Sequence, residues 1–165
     1  MVFMKRFIAF IALFLMTAGA LFADTIFKSD DFYSPWIVGT WKMMFSLDDG
    51  SYVDCAEGYV DITGNTPESQ VVVYNDDGFR EEESLEVFAD DFMSEIGQGT
   101  ANGFGTDGEE ETLDYLRLMG ADVSGDMNLH VNDEHNLIYM SFSASYENEK
   151  IVLEIKMAKV EQSQQ

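Results

Sequence analysis

The sequence predicts a mostly β, α+β domain: an antiparallel sheet curled into a partial or complete barrel, with one amphipathic helix. Three observations carry this. Apolar and polar residues alternate with a period of two from Trp36 to Ser46, and again over Met127–Val131, Ile138–Tyr146 and Ile151–Met157. Turn-forming clusters separate these runs. Between them lies one stripe with helical period, Leu85, Phe88, Ala89, Phe92 and Ile96.

The chain opens on an expected export signal. Lys5 and Arg6 supply the positive start, Phe7 to Met16 the apolar run, and Thr17 to Ala23 the small residues before cleavage. Cleavage after Ala20 fits the small-x-small rule, while cleavage after Ala23 falls where polarity begins; the second is preferred, giving a signal over 1–23. Phe7 to Phe22 is short of the roughly 20 apolar residues of a membrane span. No membrane span is therefore expected after signal cleavage. The expected location is periplasmic or extracellular. No cysteine follows the apolar run, which argues against lipid attachment at a processed N-terminus.

Removing 23 of 165 residues leaves 142, the size of one domain with one core, expected over 24–161 with a polar tail at 162–165. Lys5 and Arg6 are two of nine basic residues and none of the 31 acidic ones precedes Asp24, so the mature domain carries −24 (seven basic, 31 acidic). Such a field repels nucleic acid and anionic membrane surfaces. Hydrophobic residues make up 46% of the chain and aromatic ones 13%, which separates it from a disordered acidic tail. Cys55 is the lone cysteine, so no internal disulfide forms; buried packing is its expected role.

Element by element, Asp24 to Ser34 reads as an irregular lead-in ended by Pro35. A first strand follows from Trp36, with Ile37, Gly39, Trp41, Met43 and Phe45 on one face. Asp48-Asp49-Gly50 is a hairpin turn. Tyr52 to Ile62 is a second strand, with Gly58 as a bulge where the phase slips. After the turn Gly64–Pro67, Val71–Tyr74 forms a short strand closed by Asn75–Gly78. The helix is expected over about 82–96, with Glu81, Glu82 and Glu83 in its first turn and Gly97 as its C-terminal cap. Gln98 to Gly108 reads as a Gly-rich loop. A second helix is expected over about 109–119, ending at Gly120, with a strand as the alternative. Three antiparallel strands then share one buried face, turning at Asn132–His135 and Glu147–Glu149.

No motif points to catalysis. Gly103–Gly108 spells a dinucleotide loop, but it follows no buried strand, and Asp107, Glu109, Glu110 and Glu111 would repel a pyrophosphate. Asn75–Gly78 lacks the alternating ligands of a calcium loop. His130 and His135 flank a turn, with His130 on the outward phase of its strand, and form no zinc pattern. No Ser, His and Asp grouping stands out, no metal or cofactor is implied, and no enzyme activity is expected.

The segment Trp36-Ile37-Val38-Gly39-Thr40-Trp41-Lys42 resembles the start of a lipocalin or fatty-acid-binding-protein (calycin) barrel, in which Gly-x-Trp sits on the first strand. The resemblance implies that Trp41 closes one end of the barrel and that Lys156 or Lys159, from the last strand, covers it. It also implies an interior site for a small apolar ligand, walled by Trp41, Met43, Phe45, Phe142 and Met157. The helix placed mid-chain departs from that family's arrangement. The alternative is an acidic protein-interaction module or inhibitor in the cell envelope, without a ligand cavity, that takes a basic protein partner.

Overall fold

The computed structural model describes residues 24–104 and 116–161, the side chains of 95–104 excepted. The export signal (1–23), most of the Gly103–Gly108 run, the first part of the second expected helix and the polar tail lie outside these residues. Strands β1 (Thr25–Ile26), β2 (Gly39–Asp48), β3 (Val53–Ile62), β4 (Gln70–Tyr74), β5 (Arg80–Ser84), β6 (Asp122–Val131), β7 (Leu137–Tyr146) and β8 (Glu149–Lys159) form one antiparallel sheet. The order is β1-β6-β7-β8-β2-β3-β4-β5. The outermost strands, β1 and β5, do not pair with each other, so the sheet is curled and open rather than a closed barrel.

Two hairpin stacks make up this sheet. Strands β2 to β5 pair each with the next, as do β6 to β8, and the seam between the stacks is β2 against β8. Register across the seam sets Trp41 opposite Lys159, Met43 opposite Met157 and Phe45 opposite Ile155. Those partners, with Val60, Val71, Ile138, Met140 and Phe142, make the apolar inner face, as the period-two pattern predicts.

Helix α1 (Leu85–Phe104) packs on β4, β5 and a five-residue 3₁₀ turn, Ser29–Tyr33. Leu85, Phe88 and Ala89 are buried and Phe92 is half-buried, the stripe expected of it. Phe32, fully buried, meets Phe27, Phe88 and Phe92 edge-on at centroid distances of 5.0, 5.7 and 5.6 Å, the geometry aromatic quadrupoles favour. The first amides of α1 find partners outside the helix: Leu85 donates to the Ser69 carbonyl and Glu86 to that of Pro67. A short helical turn over 116–118 ends at Gly120, whose φ of 88° is a left-handed helix stop.

Several expectations are corrected. The lead-in is ordered into β1 and the first 3₁₀ turn. Trp36 and Ile37 lie in a second 3₁₀ turn, Pro35–Ile37, and the strand starts at Gly39. Proline at the first position presets φ for that turn. Glu81, Glu82 and Glu83 belong to β5, because pairing with β4 outweighs the few tenths of a kcal/mol that a helix dipole offers an exposed acid. The helix runs through Gly97 to Phe104 instead of ending there, tolerating roughly 1 kcal/mol of propensity cost. Residues 98–104, expected in a loop, therefore belong to it. Gly58 makes no bulge: β3 pairs with β2 without interruption. The irregularity lies in β6, between Asp126 and His130. Cys55 is exposed, because its register partner is Ser46 on the outward phase.

Two glycines are fixed by this fold. Gly39 has φ +139°, and a Cβ there would lie 2.9 Å from Lys159 Cε. Gly125 has φ +77°, and its Cβ would overlap the backbone carbonyl of Ser141. Gly39→Ala should cost about 1–3 kcal/mol, since a lysine stem can yield. Gly125→Ala should cost more, since a paired backbone cannot. Urea midpoints at unchanged slope would check both. Equal, near-zero losses would contradict the fold at these positions.

Candidate functional site

The inner face has a closed end and an open one. At the closed end Trp41 is fully buried, and its indole N–H donates to the Ile37 carbonyl at 2.7 Å. A buried indole needs such an acceptor, and the Pro35–Ile37 turn supplies it one helical turn upstream. Lys159 carries its ammonium over the Trp41 ring, 5.4 Å from the centroid, and donates at 2.6 Å to the Trp36 carbonyl. Of the two lysines expected to cover Trp41, Lys159 does so. Lys156 stands on the outer phase, 3.7 Å from Glu154. Trp36 continues the cover, tilted against His135 at a centroid distance of 4.8 Å and edge-on to Trp41.

Toward the far ends of β2 and β8 the packing thins. Met43 and Leu47 are half-buried and Phe45 is 38% exposed, although all three share the phase of Trp41. Of the residues proposed to wall a ligand site, Trp41, Met43 and Phe45 follow one another on β2. Met157 faces Met43 across the seam, and Phe142 lies one strand further, opposite Leu153. Trp41, Phe142 and Met157 are sealed in the core; Met43 and Phe45 line its unfinished edge. An apolar face buried at one end and open at the other can take up an apolar body by the same burial that packs a core, about 25 cal/mol per Å².

A second feature went unread in the sequence. On the outer face of β6 and β7, Asp24, Gly125, Asp126, His130, Tyr139 and Ser141 line a cleft of about 440 Å³. The β6 irregularity makes it: four residues from Asp126 to His130 span only the two from Ser141 to Tyr139. In a regular strand residues four apart lie about 13 Å apart; here Asp126 and His130 touch. His130 Nε2 lies 2.8 and 2.9 Å from the two Asp126 oxygens, and the Asn128 amide donates to the same carboxylate. A carboxylate only accepts, so the shared proton sits on Nε2. The His130 ring stacks on Tyr139, whose hydroxyl donates to Asp24. The sequence held one signal for this, a glycine (Gly125) beside an acid just before an alternating run.

An imidazole oriented by a carboxylate is a unit of general-base chemistry. Here no nucleophilic hydroxyl is hydrogen-bonded to its ring among the described residues, and no three His, Cys, Asp or Glu side chains group for a metal. The chain matches no family model, no curated protein and no solved structure.

The cleft makes a pH prediction. The hydrogen bond to Asp24, then burial, then the charges of Asp24 and Asp126 push the Tyr139 phenol up to about 12. A raised pKa favours the protonated fold, so this stabilisation is complete below about pH 10, the ordinary tyrosine value. It is lost as pH rises toward 12. Tyr139→Phe should cost about 1 kcal/mol at neutral pH, with the difference from wild type vanishing across that window. Denaturation at stepped alkaline pH, with tyrosinate absorbance alongside, would show it. A pH-independent difference would mean the Asp24 contact does not hold in solution.

Proposed function

We propose that this is an exported binding protein of lipocalin-like type, holding a small apolar ligand against the open part of its inner face. The observation that carries the reading is the two-ended sheet: sealed under Trp41 and Lys159, unfinished at Met43, Phe45 and Leu47. Details of the closed end add support. A 3₁₀ turn leads into Gly39-x-Trp41, and a lysine from the last strand covers that tryptophan. The covering lysine is what the calycin resemblance implies, and an eight-stranded antiparallel sheet is compatible with it. Export rests on the 1–23 signal. The charge of −22 over the whole chain argues against nucleic acid as partner.

The test is native mass spectrometry on protein exported from a bacterial host and purified without detergent. A discrete extra mass, removed by organic extraction, is the expected result. Phe45→Glu should abolish that mass while leaving the fold intact, because Phe45 is already partly exposed and a charge there repels an apolar body. Trp41→Ala would not serve, since truncating a fully buried Trp costs about 3–5 kcal/mol under any reading. A bare protein that instead captures a basic protein partner, losing it with added salt, would replace this reading with the envelope interaction module.

A further inference from the structure

Resting on the export part of that reading, we infer that the signal is cut between Ala23 and Asp24, and that the outer-face cleft of β6 and β7 seats the α-ammonium group the cut creates. Asp24 immediately precedes β1 and lines that cleft with Asp126, His130, Tyr139 and Ser141. Its carboxylate accepts the Tyr139 hydroxyl. The α-nitrogen is three bonds from that carboxyl carbon, so a chain that starts at Asp24 starts at the cleft. A chain cut after Ala20 keeps Leu21, Phe22 and Ala23 as well. Its ammonium then stands as far as about 10 Å off, at roughly 3.3–3.6 Å per residue.

The side chains of the cleft are short of donors and of positive charge. His130 gives its Nε2 proton to Asp126, and Tyr139 gives its hydroxyl proton to Asp24. In that tautomer the other imidazole nitrogen accepts. Two carboxylates and an imidazole lone pair therefore face a space of about 440 Å³, with Ser141 as the remaining hydroxyl and no cation among the lining residues. Lys156 lies opposite Tyr139 on β8 but pairs at 3.7 Å with Glu154, itself opposite Ser141. An ammonium group brings three donors and the missing charge. Tethered to a lining residue, it gives up little translational freedom on entering. It also serves β1, which meets β6 through two residue pairs, Thr25 with Val131 and Ile26 with His130, followed by the Phe27 amide on the Leu129 carbonyl. Chain termini fray unless something ties them down, and the seated ammonium is that tie. The cut that releases the domain thereby fixes its first strand.

The test starts from the full chain expressed in a bacterial host. The intact mass of the exported product should be that of a chain beginning at Asp24. Its α-amine, labelled by reductive methylation with ¹³C-formaldehyde, is then titrated by NMR in the folded protein and in denaturing urea. The folded value should lie above the unfolded one by about one pH unit or more, as carboxylates within a few ångströms favour the charged amine. Asp126→Asn should remove at least half of that rise. Should this variant fail to fold, the comparison of folded with unfolded wild type decides alone. A product beginning at Leu21 would overturn the inference and leave export standing. So would an α-amine that titrates alike in the folded and unfolded chain, or a rise untouched by Asp126→Asn. A chain that keeps residues 1–23 would sink the export reading as well.

Discussion

The buried indole of Trp41 is the constraint on which the rest of this structure turns. Its N–H has no water to bond, so an acceptor must be brought to it, and the chain does so by coiling Pro35–Ile37 immediately before β2. The ring's open side is covered by Lys159, whose ammonium reaches the Trp36 carbonyl in the same turn. That lysine stem passes so close to Gly39 that a side chain there would force it to shift. Ile37 is thus tied to Trp41 by one polar atom that burial would otherwise leave unpaired, and Lys159 and Gly39 by the packing over its ring. The cost of leaving such a group unsatisfied, about 1–3 kcal/mol, explains why the arrangement is so specific.

Its location matters as much as its energy. Most strand pairs here are local hairpins, but β2 and β8 are separated by most of the chain, and their pairing joins the two stacks into one sheet. Closing so long a loop is entropically expensive. The Trp41–Lys159 pair sits at one end of that seam, where burial, a hydrogen bond and a cation over a ring all act together. With the seam pinned, the sheet curls over the aromatic cluster of Phe27, Phe32, Phe88 and Phe92, and α1 covers it. Among the described residues nothing comparable pins the opposite end, where Met43, Phe45 and Leu47 are partly open.

How much of this was legible depended on whether the signal was periodic or conditional. The strand phases of β2, β7 and β8 and the stripe Leu85, Phe88, Ala89 and Phe92 follow from alternation alone, because burying one face of a sheet or helix demands it. Trp41 and its covering lysine were legible through a short motif. What escaped was decided by pairing partners. Glu81 to Glu83 suit a helix start by their charge but serve as an edge strand because β4 offers hydrogen bonds. Cys55 was misread because its composition favours burial, whereas its phase turns it outward. The cleft of Asp126, His130, Tyr139 and Asp24 was beyond local reading, since it joins residues from two strands and the residue before β1 across an irregularity visible only in the register.

The acidity of the chain and the unfinished apolar face belong to one physical account. An open apolar edge on a neutral domain invites a second copy to cover it, because burial is favourable whoever supplies the partner surface. A chain carrying −22 makes that approach unfavourable, as each copy must bring its own field against the other's. Salt at physiological strength confines the repulsion to about 8 Å, but that is the range over which two apolar faces must close. The outer face moderates its own charge by setting Lys42, Arg80 and Lys156 beside acids; the inner face spends its lysine on Trp41. The charge thus opposes the pairing of two such edges.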